Sequence, residues 1–179
     1  MTSLQEQMAM YAAYHRDLRN RATHFVGIPT IVFSLLLAFA LVRLPIGGFD
    51  ASLGMLVTLA LMIYYYLLDR TLAVIATVIF GAMVVAAERL VTGWSATEAW
   101  TWFALLFVGG WILQLVGHVF EGRKPALVDN LFQIFVAPLF LIAETLFAVN
   151  LMTELRLAVE ARIPKYLPAA AERPRAEAA

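Results

Sequence analysis

The chain alternates long apolar blocks with short polar patches, and that alternation predicts its elements. Leu4, Met8, Tyr11, His15 and Leu18 recur at steps of four, three, four and three, a stripe of helical period. Gln5, Glu6, Arg16, Asp17 and Arg19 occupy the other faces. Leu4 to Leu18 is too polar to cross a bilayer and predicts an amphipathic helix lying in the membrane interface. The first span runs from about Ile28 to Leu44, with Pro29 in its first turn, where a missing N–H costs nothing. Pro45 to Asp50, PIGGFD, predicts a turn. A second span covers Leu53 to Leu68, and Asp69–Arg70 is a very short connection to a third over Thr71 to Ala87. Ser95, with Glu98 three residues later, has the capping-box spacing for a fourth span that ends near Phe120. Glu121 to Asn130, EGRKPALVDN, predicts a polar loop. A fifth apolar stretch, Leu131 to Leu151, is interrupted by Pro138 and Glu144.

Composition sets the class. Of 179 residues, 62% are hydrophobic and 15% charged, against roughly 25% charge in a soluble domain. The expected fold is therefore all-α: a polytopic integral membrane helical bundle of about five hydrophobic segments with an N-terminal interfacial amphipathic helix. Residues 1–166 form a single membrane-embedded domain in this reading. The low-complexity end, AAAERPRAEAA, makes 167–179 a disordered tail. The net charge of zero gives no argument for nucleic acid as a partner. The absence of cysteine excludes disulfides, thiolate zinc sites, iron–sulfur clusters and covalent c-type haem. No basic start precedes an apolar core at the N-terminus, so no cleaved signal peptide is expected.

Lys and Arg placement predicts orientation. If the first four stretches all cross, one side receives Arg16, Arg19, Arg21, Arg70, Arg123 and Lys124, and the other only Arg43 and Arg89. The N-terminus and the Glu121–Asn130 loop then lie in the cytoplasm. Five crossings is the simpler count, but it places Arg156, Arg162, Lys165, Arg173 and Arg175 outside, against the rule. A re-entrant last segment, broken near Pro138, keeps them inside, and both topologies stay open.

The polar chemistry gathers at one face. His15, His24 and His118 are the only histidines. The first two precede the first span and the third ends the fourth, so four crossings separate them and all lie at the same side. A fourth helix continued to Glu121 puts Gln114, His118 and Glu121 on one face at steps of four and three. Asp129, Asn130 and Gln133 follow the loop. Glu144, eleven residues after Gln133, shares its face inside an apolar span, where an acid is a functional-site candidate by default. His15 and His24, nine residues apart, would point in opposite directions on one unbroken helix, so a shared site requires a turn, expected near Asn20 to Thr23.

Two or three imidazoles and a carboxylate suit iron, zinc, copper or nickel, and two histidines with one carboxylate are the usual set of non-haem ferrous oxygenases. Each residue also has a plain structural reading. An interfacial histidine can simply wedge between lipid and water. Arg123 and Lys124 fit a headgroup anchor. Tyr64, Tyr65 and Tyr66, with Trp94 and Trp100, fit an interfacial aromatic belt. Gly109, Gly110 and Gly117 fit close helix packing. Glu144 can pair with Gln133 or Arg123.

Two segments carry a resemblance. Tyr11, Tyr14, His15, Asn20, His24 and Pro29 mark the first. Trp111, Gln114, Gly117, His118, Phe120, Glu121, Pro125, Ala126, Leu127, Asp129, Asn130, Gln133, Ala137, Pro138 and Glu144 mark the second. Over about 50 residues the chain resembles the 2-hydroxy fatty acid dioxygenase family, small membrane proteins formerly a domain of unknown function, with a characterised fungal endoplasmic-reticulum member in phytosphingosine degradation. The resemblance implies iron(II), Fe(2+), as cofactor. It implies α-oxidation of a 2-hydroxy fatty acid by dioxygen, giving the fatty acid one carbon shorter and CO2. It also implies His15, His24 and His118 as iron ligands, with Glu121 or Asp129 as a carboxylate ligand or its supporting partner. Asn20, Gln114, Asn130, Gln133, Glu144 and Arg123 are then supporting or substrate-contacting residues, and Arg16, Arg19 or Arg123 would attract the substrate carboxylate. The basic, alanine-rich tail looks bacterial, which implies an inner membrane with the site at its cytoplasmic face, and free 2-hydroxy acids from envelope lipids as substrates. Two other classes remain beside this one: a non-enzymatic lipid-binding or transport protein that senses protons, and a zinc hydrolase using the same histidines.

Overall fold

The computed structural model describes residues 3–167, so most of the tail expected to be disordered, 168–179, lies outside the described residues. Among the described residues the regular structure is helical except for one hairpin. Helix α1 (Leu4–Ala13) precedes α2 (Leu18–Ala40), the hairpin strands β1 (Arg43–Ile46) and β2 (Phe49–Ser52), α3 (Leu53–Leu68), α4 (Arg70–Gly93) and α5 (Ala96–Glu121). Short α6 (Ala126–Asp129), α7 (Gln133–Ala148), α8 (Thr153–Glu160) and a 3-10 turn (Ile163–Tyr166) complete it. The protein is a membrane helical bundle: α2, α4 and α5 are long and apolar enough to cross a bilayer, while α3 is shorter.

Local chemistry explains the boundaries. Asp17 caps α2 by accepting the Arg19 amide at 2.8 Å. Ser95 and Glu98 form the full capping box expected for α5, and Gly122 closes that helix at φ 64°. The first span stops at Ala40, short of the expected Leu44, because residues 43–46 pair with 49–52, Arg43 opposite Ser52 and Ile46 opposite Phe49. Gly47 (φ 56°) and Gly48 (φ 84°) supply the two left-handed residues that a tight hairpin turn requires. Arg43 ties the hairpin to α4 through Glu88 at 2.6 Å.

The break between His15 and His24 falls at Tyr14–Asp17 rather than at the expected Asn20–Thr23. Asn20 is already helical and fully buried. Helix α1 therefore ends before His15 and Leu18. Leu18, expected in the apolar stripe, is 74% exposed, whereas Met8 and Ala9 are fully buried. The stripe of α1 faces the protein core, packed with α7, α8 and the 3-10 turn.

Helix α2 packs on α5 along small residues. A Cβ on Gly110 would stand 2.6 Å from Ile31 Cγ1, and one on Gly117 would stand 2.2 Å from Thr23 Oγ1 and 2.4 Å from Asn20 Oδ1. Gly109, grouped with them as a packing residue from sequence, has open space at its Cβ position. Tyr65 and Tyr64 hold α3 to the same end of the bundle instead of forming a belt. Tyr65, fully buried, donates its hydroxyl to Phe135 O at 2.7 Å, and Tyr64 donates to Gln7 Oε1 at 3.1 Å.

The fifth apolar stretch runs helically through Pro138 and turns at Asn150 and Met152, which adopt φ of 59° and 54°. Helix α8 then leaves α7 at 114°. It returns to α1, where Arg162 and Lys165 pair with Glu6. The break thus lies at the end of α7, not at Pro138, and the last described residues sit beside the first.

Candidate metal centre

Three imidazoles meet at this end of the bundle, each from a different structural context. His15 sits in the break after α1, His24 on the second turn of α2 and His118 on the last turn of α5. All are buried, at 6%, 5% and 7% exposure, and their nearest ring nitrogens lie within 4.8 Å of one another. Among the described residues they form the one cluster of this kind.

Backbone carbonyls set two of the rings. His15 Nδ1 donates to Tyr11 O at 2.7 Å and His24 Nδ1 donates to Asn20 O at 2.8 Å. With Nδ1 protonated, a neutral ring carries its lone pair on Nε2, and the two Nε2 atoms face each other at 3.1 Å. Burial, with the neighbouring His24, lowers the pKa of His15 to about 3, so its ring stays neutral at physiological pH. Two lone pairs at this separation repel unless a cation lies between them. A metal held at about 2.0–2.1 Å by each nitrogen brings two ligands about 3 Å apart. The third ring closes the set: His118 Nδ1 is buried without a well-formed hydrogen bond, the Arg123 backbone only approaching it. The donor chemistry therefore fits a divalent first-row ion. Tyr11 stacks on His15 with ring centroids 4.0 Å apart and so fixes the plane of that imidazole.

The carboxylates stand outside this triangle. Glu121 accepts from the backbone amides of Arg16 (3.0 and 2.9 Å) and Asp17 (2.8 Å) and from Asn20 Nδ2 (3.0 Å). It is an anion seated in a nest of amides at the start of α2. It clamps the end of α5 to the residue after His15 and to the residue whose carbonyl orients His24. Asp129 accepts from the Tyr14 hydroxyl at 2.5 Å and pairs with Lys124 at 2.6 Å. Glu144 pairs with Arg21 on α2, neither with Gln133 nor with Arg123. Asn130 Oδ1 accepts from the Phe132 amide at 3.0 Å and Asn130 Nδ2 lies 4.0 Å from Met10 sulfur.

The cations are committed elsewhere too. Arg123 donates to Ala13 O and Tyr166 O, both at 3.0 Å, and lies over the Tyr14 ring at 3.4 Å, tying α1, the 3-10 turn and the loop after α5 together. Arg19 pairs with Asp17 and lies over Phe120.

A cavity of about 260 Å³ opens from the three histidines into the bundle. Its lining contains no Lys, Arg, Asp or Glu. The polar groups besides the imidazoles gather near them: Gln114, 6% exposed, has both amide atoms without a partner, and Gln133, 1% exposed, has its Oε1 without one. Tyr65 and Gly27 were not singled out as site residues from sequence. Tyr65 lines this cavity, and a Cβ on Gly27 would stand 2.9 Å from Gln114 Nε2. A small residue facing a polar one across two helices leaves no periodic signal.

Comparison with known proteins adds an independent line. A family model described as 2-hydroxy-palmitic acid dioxygenase Mpo1-like matches residues 1–149. A curated protein of Saccharomyces cerevisiae, 2-hydroxy-palmitic acid dioxygenase MPO1, is 33% identical over 162 residues, 89% of this chain and 89% of that one. No solved structure matches the chain.

Proposed function

The chain belongs to the Mpo1-like family, and from that premise we propose a membrane-bound, iron(II)-dependent dioxygenase that removes one carbon from 2-hydroxy fatty acids. The reaction balances as one 2-hydroxy acid and one dioxygen giving the acid shortened by one carbon, one CO2 and one water. The carbon–carbon bond beside the carboxyl breaks, and the carbon that bore the hydroxyl becomes the new carboxyl.

The observation that carries the reading is the buried three-histidine triangle at the polar end of an otherwise uncharged cavity. Iron(II) would be held by His15, His24 and His118 and would supply the open-shell centre that lets triplet dioxygen react with a closed-shell acid, the electrons coming from the acid itself. The chain does the rest. Tyr11 O and Asn20 O hold the Nδ1 protons of two rings and so aim both lone pairs inward. Glu121, through the amides it accepts, fixes the spacing of those two elements. Three neutral ligands leave the ion its full charge, and no side-chain cation competes for the substrate carboxylate. Gln114 and Gln133 offer amide groups to the carboxylate and the 2-hydroxyl, while the apolar wall excludes water. Asp129 and Arg123 act by holding Tyr14 and α1 in place.

The Lys and Arg distribution supports a cytoplasmic-facing site, and the alanine-rich tail composition supports a bacterial inner membrane. The test is metal analysis of protein purified in detergent without air, together with oxygen uptake on 2-hydroxypalmitate. Near-stoichiometric iron that His118→Ala loses, with uptake that follows the iron, is the expected result. Zinc under iron-supplemented growth, or oxygen uptake that survives removal of the metal, would overturn it.

A further inference from the structure

Resting on that reading, we infer that the cavity is a binding groove for one long alkyl chain, inserted head first, and that Phe39 and Thr58 at its far end set the longest chain it accepts.

Six residues of α2 face the cavity after His24: Ile28, Ile31, Val32, Leu35, Leu36 and Phe39. They step by three, one, three, one and three, which is a single face of one helix. The groove is thus continuous along α2, not a set of separate holes. From His24 to Phe39 is fifteen residues, about 22 Å of helix. The acyl chains of one bilayer leaflet occupy about half of a 30 Å hydrocarbon core. The groove therefore exceeds the depth of a membrane lipid's own tail and suits a long chain in extended form.

Polarity gives the direction of insertion. The three imidazoles and the two carboxamides stand at one end. Gln114 is buried with neither amide atom satisfied, a costly arrangement that a ligand's oxygen atoms would relieve. Beyond it the lining is aliphatic and aromatic until Thr58. The far end is where α2 approaches the start of α3: a Cβ on Gly54 would stand 3.6 Å from Phe39 Cβ and 3.7 Å from Leu36 Cδ2. Phe39 on one wall and Thr58 on the other bound the space for the chain's last carbons.

The test uses the detergent-purified full chain and an equimolar mixture of 2-hydroxylauric, 2-hydroxypalmitic and 2-hydroxylignoceric acids, with bound acids counted by native mass spectrometry. Wild type should retain 2-hydroxypalmitic over 2-hydroxylauric acid. Thr58→Phe should reverse that preference, on the order of tenfold for the loss of two or three buried methylenes. Phe39→Ala should move it the other way, toward 2-hydroxylignoceric acid, and guards against one variant failing to fold. Chain-length preference unchanged in both folded variants would overturn the groove, even if iron content and oxygen uptake stand. Shifted preference in a protein that holds no iron and takes up no oxygen would uphold the groove and sink the dioxygenase reading.

Discussion

At the scale of single residues, this protein places its polar side chains in unequal circumstances. Glu121 accepts from three donors within 3.0 Å, while Gln114, one helical turn before His118, has no partner. An unsatisfied buried amide is held at a cost of about 1–3 kcal/mol. Replacing it by an apolar group of similar shape should relieve that cost. Gln114→Leu is therefore expected to leave the melting temperature unchanged or raised while weakening 2-hydroxypalmitate binding about tenfold or more; calorimetry and ligand titration on the same sample read both. A lowered melting temperature with unchanged binding would make Gln114 a plain packing residue. Much of this scale was legible beforehand. The histidines could be placed at one end by counting spans, and Gln114, His118 and Glu121 fall on one face by spacing. What Glu121 touches was not legible, because besides Asn20 Nδ2 its partners are the backbone amides of Arg16 and Asp17, which leave no mark on residue identity. Asp129 likewise meets Tyr14 only once α1 has folded against α6, a contact between residues 115 positions apart.

At the scale of elements, the pairing of α2 with α5 decides whether the triangle exists. Gly117 lies against Thr23, Asn20 and His24 at once, and it neighbours His118. Gly117→Ala should push the helices apart at the point where two ligands meet, costing about 1–3 kcal/mol by overpacking and abolishing metal retention. Gly109→Ala, whose new methyl meets open space, should be silent or slightly stabilising through helix propensity. Metal content and thermal unfolding of the pair separate a local steric effect from a general loss of helix flexibility. Sequence patterning identified α3 to the residue and the capping box of α5, because both rest on local chemistry. It misplaced the break before α2 by a few residues, since Asp17 as cap competes with Asn20 and only the pull of Glu121 on two amides selects between them. The hairpin after α2 was read as a simple turn: two glycines announce a reversal, but not the four-residue ladders that extend it.

At the scale of the whole molecule, the two ends of the described chain lie together, with Glu6 paired to Arg162 and Lys165. The hairpin lies at the opposite end of the bundle, tied to Glu88 near the end of α4. The absence of native cysteine allows a clean test of this topology. Lys124→Cys and Arg156→Cys should be labelled by an impermeant maleimide from the same side of inverted membrane vesicles, and Gly48→Cys only from the other. Labelling of positions 124 and 156 from opposite sides would mean that α7 and α8 complete a crossing. A break in the last stretch was one of two readings, placed near Pro138; its position after Ala148 left no signal, because the residues that adopt left-handed φ there are Asn150 and Met152 instead of glycine. The far-apart origins of the three imidazoles also set an order of assembly. Two leave the ribosome within the first 24 residues, and the third follows only after the hairpin and two further helices have been made. Until α5 is threaded into the bilayer, the amino-terminal segment carries only two of the three imidazoles. An ion held by all three imidazoles, as proposed, can therefore be captured only once α5 is inserted, which makes loading the last step of biogenesis.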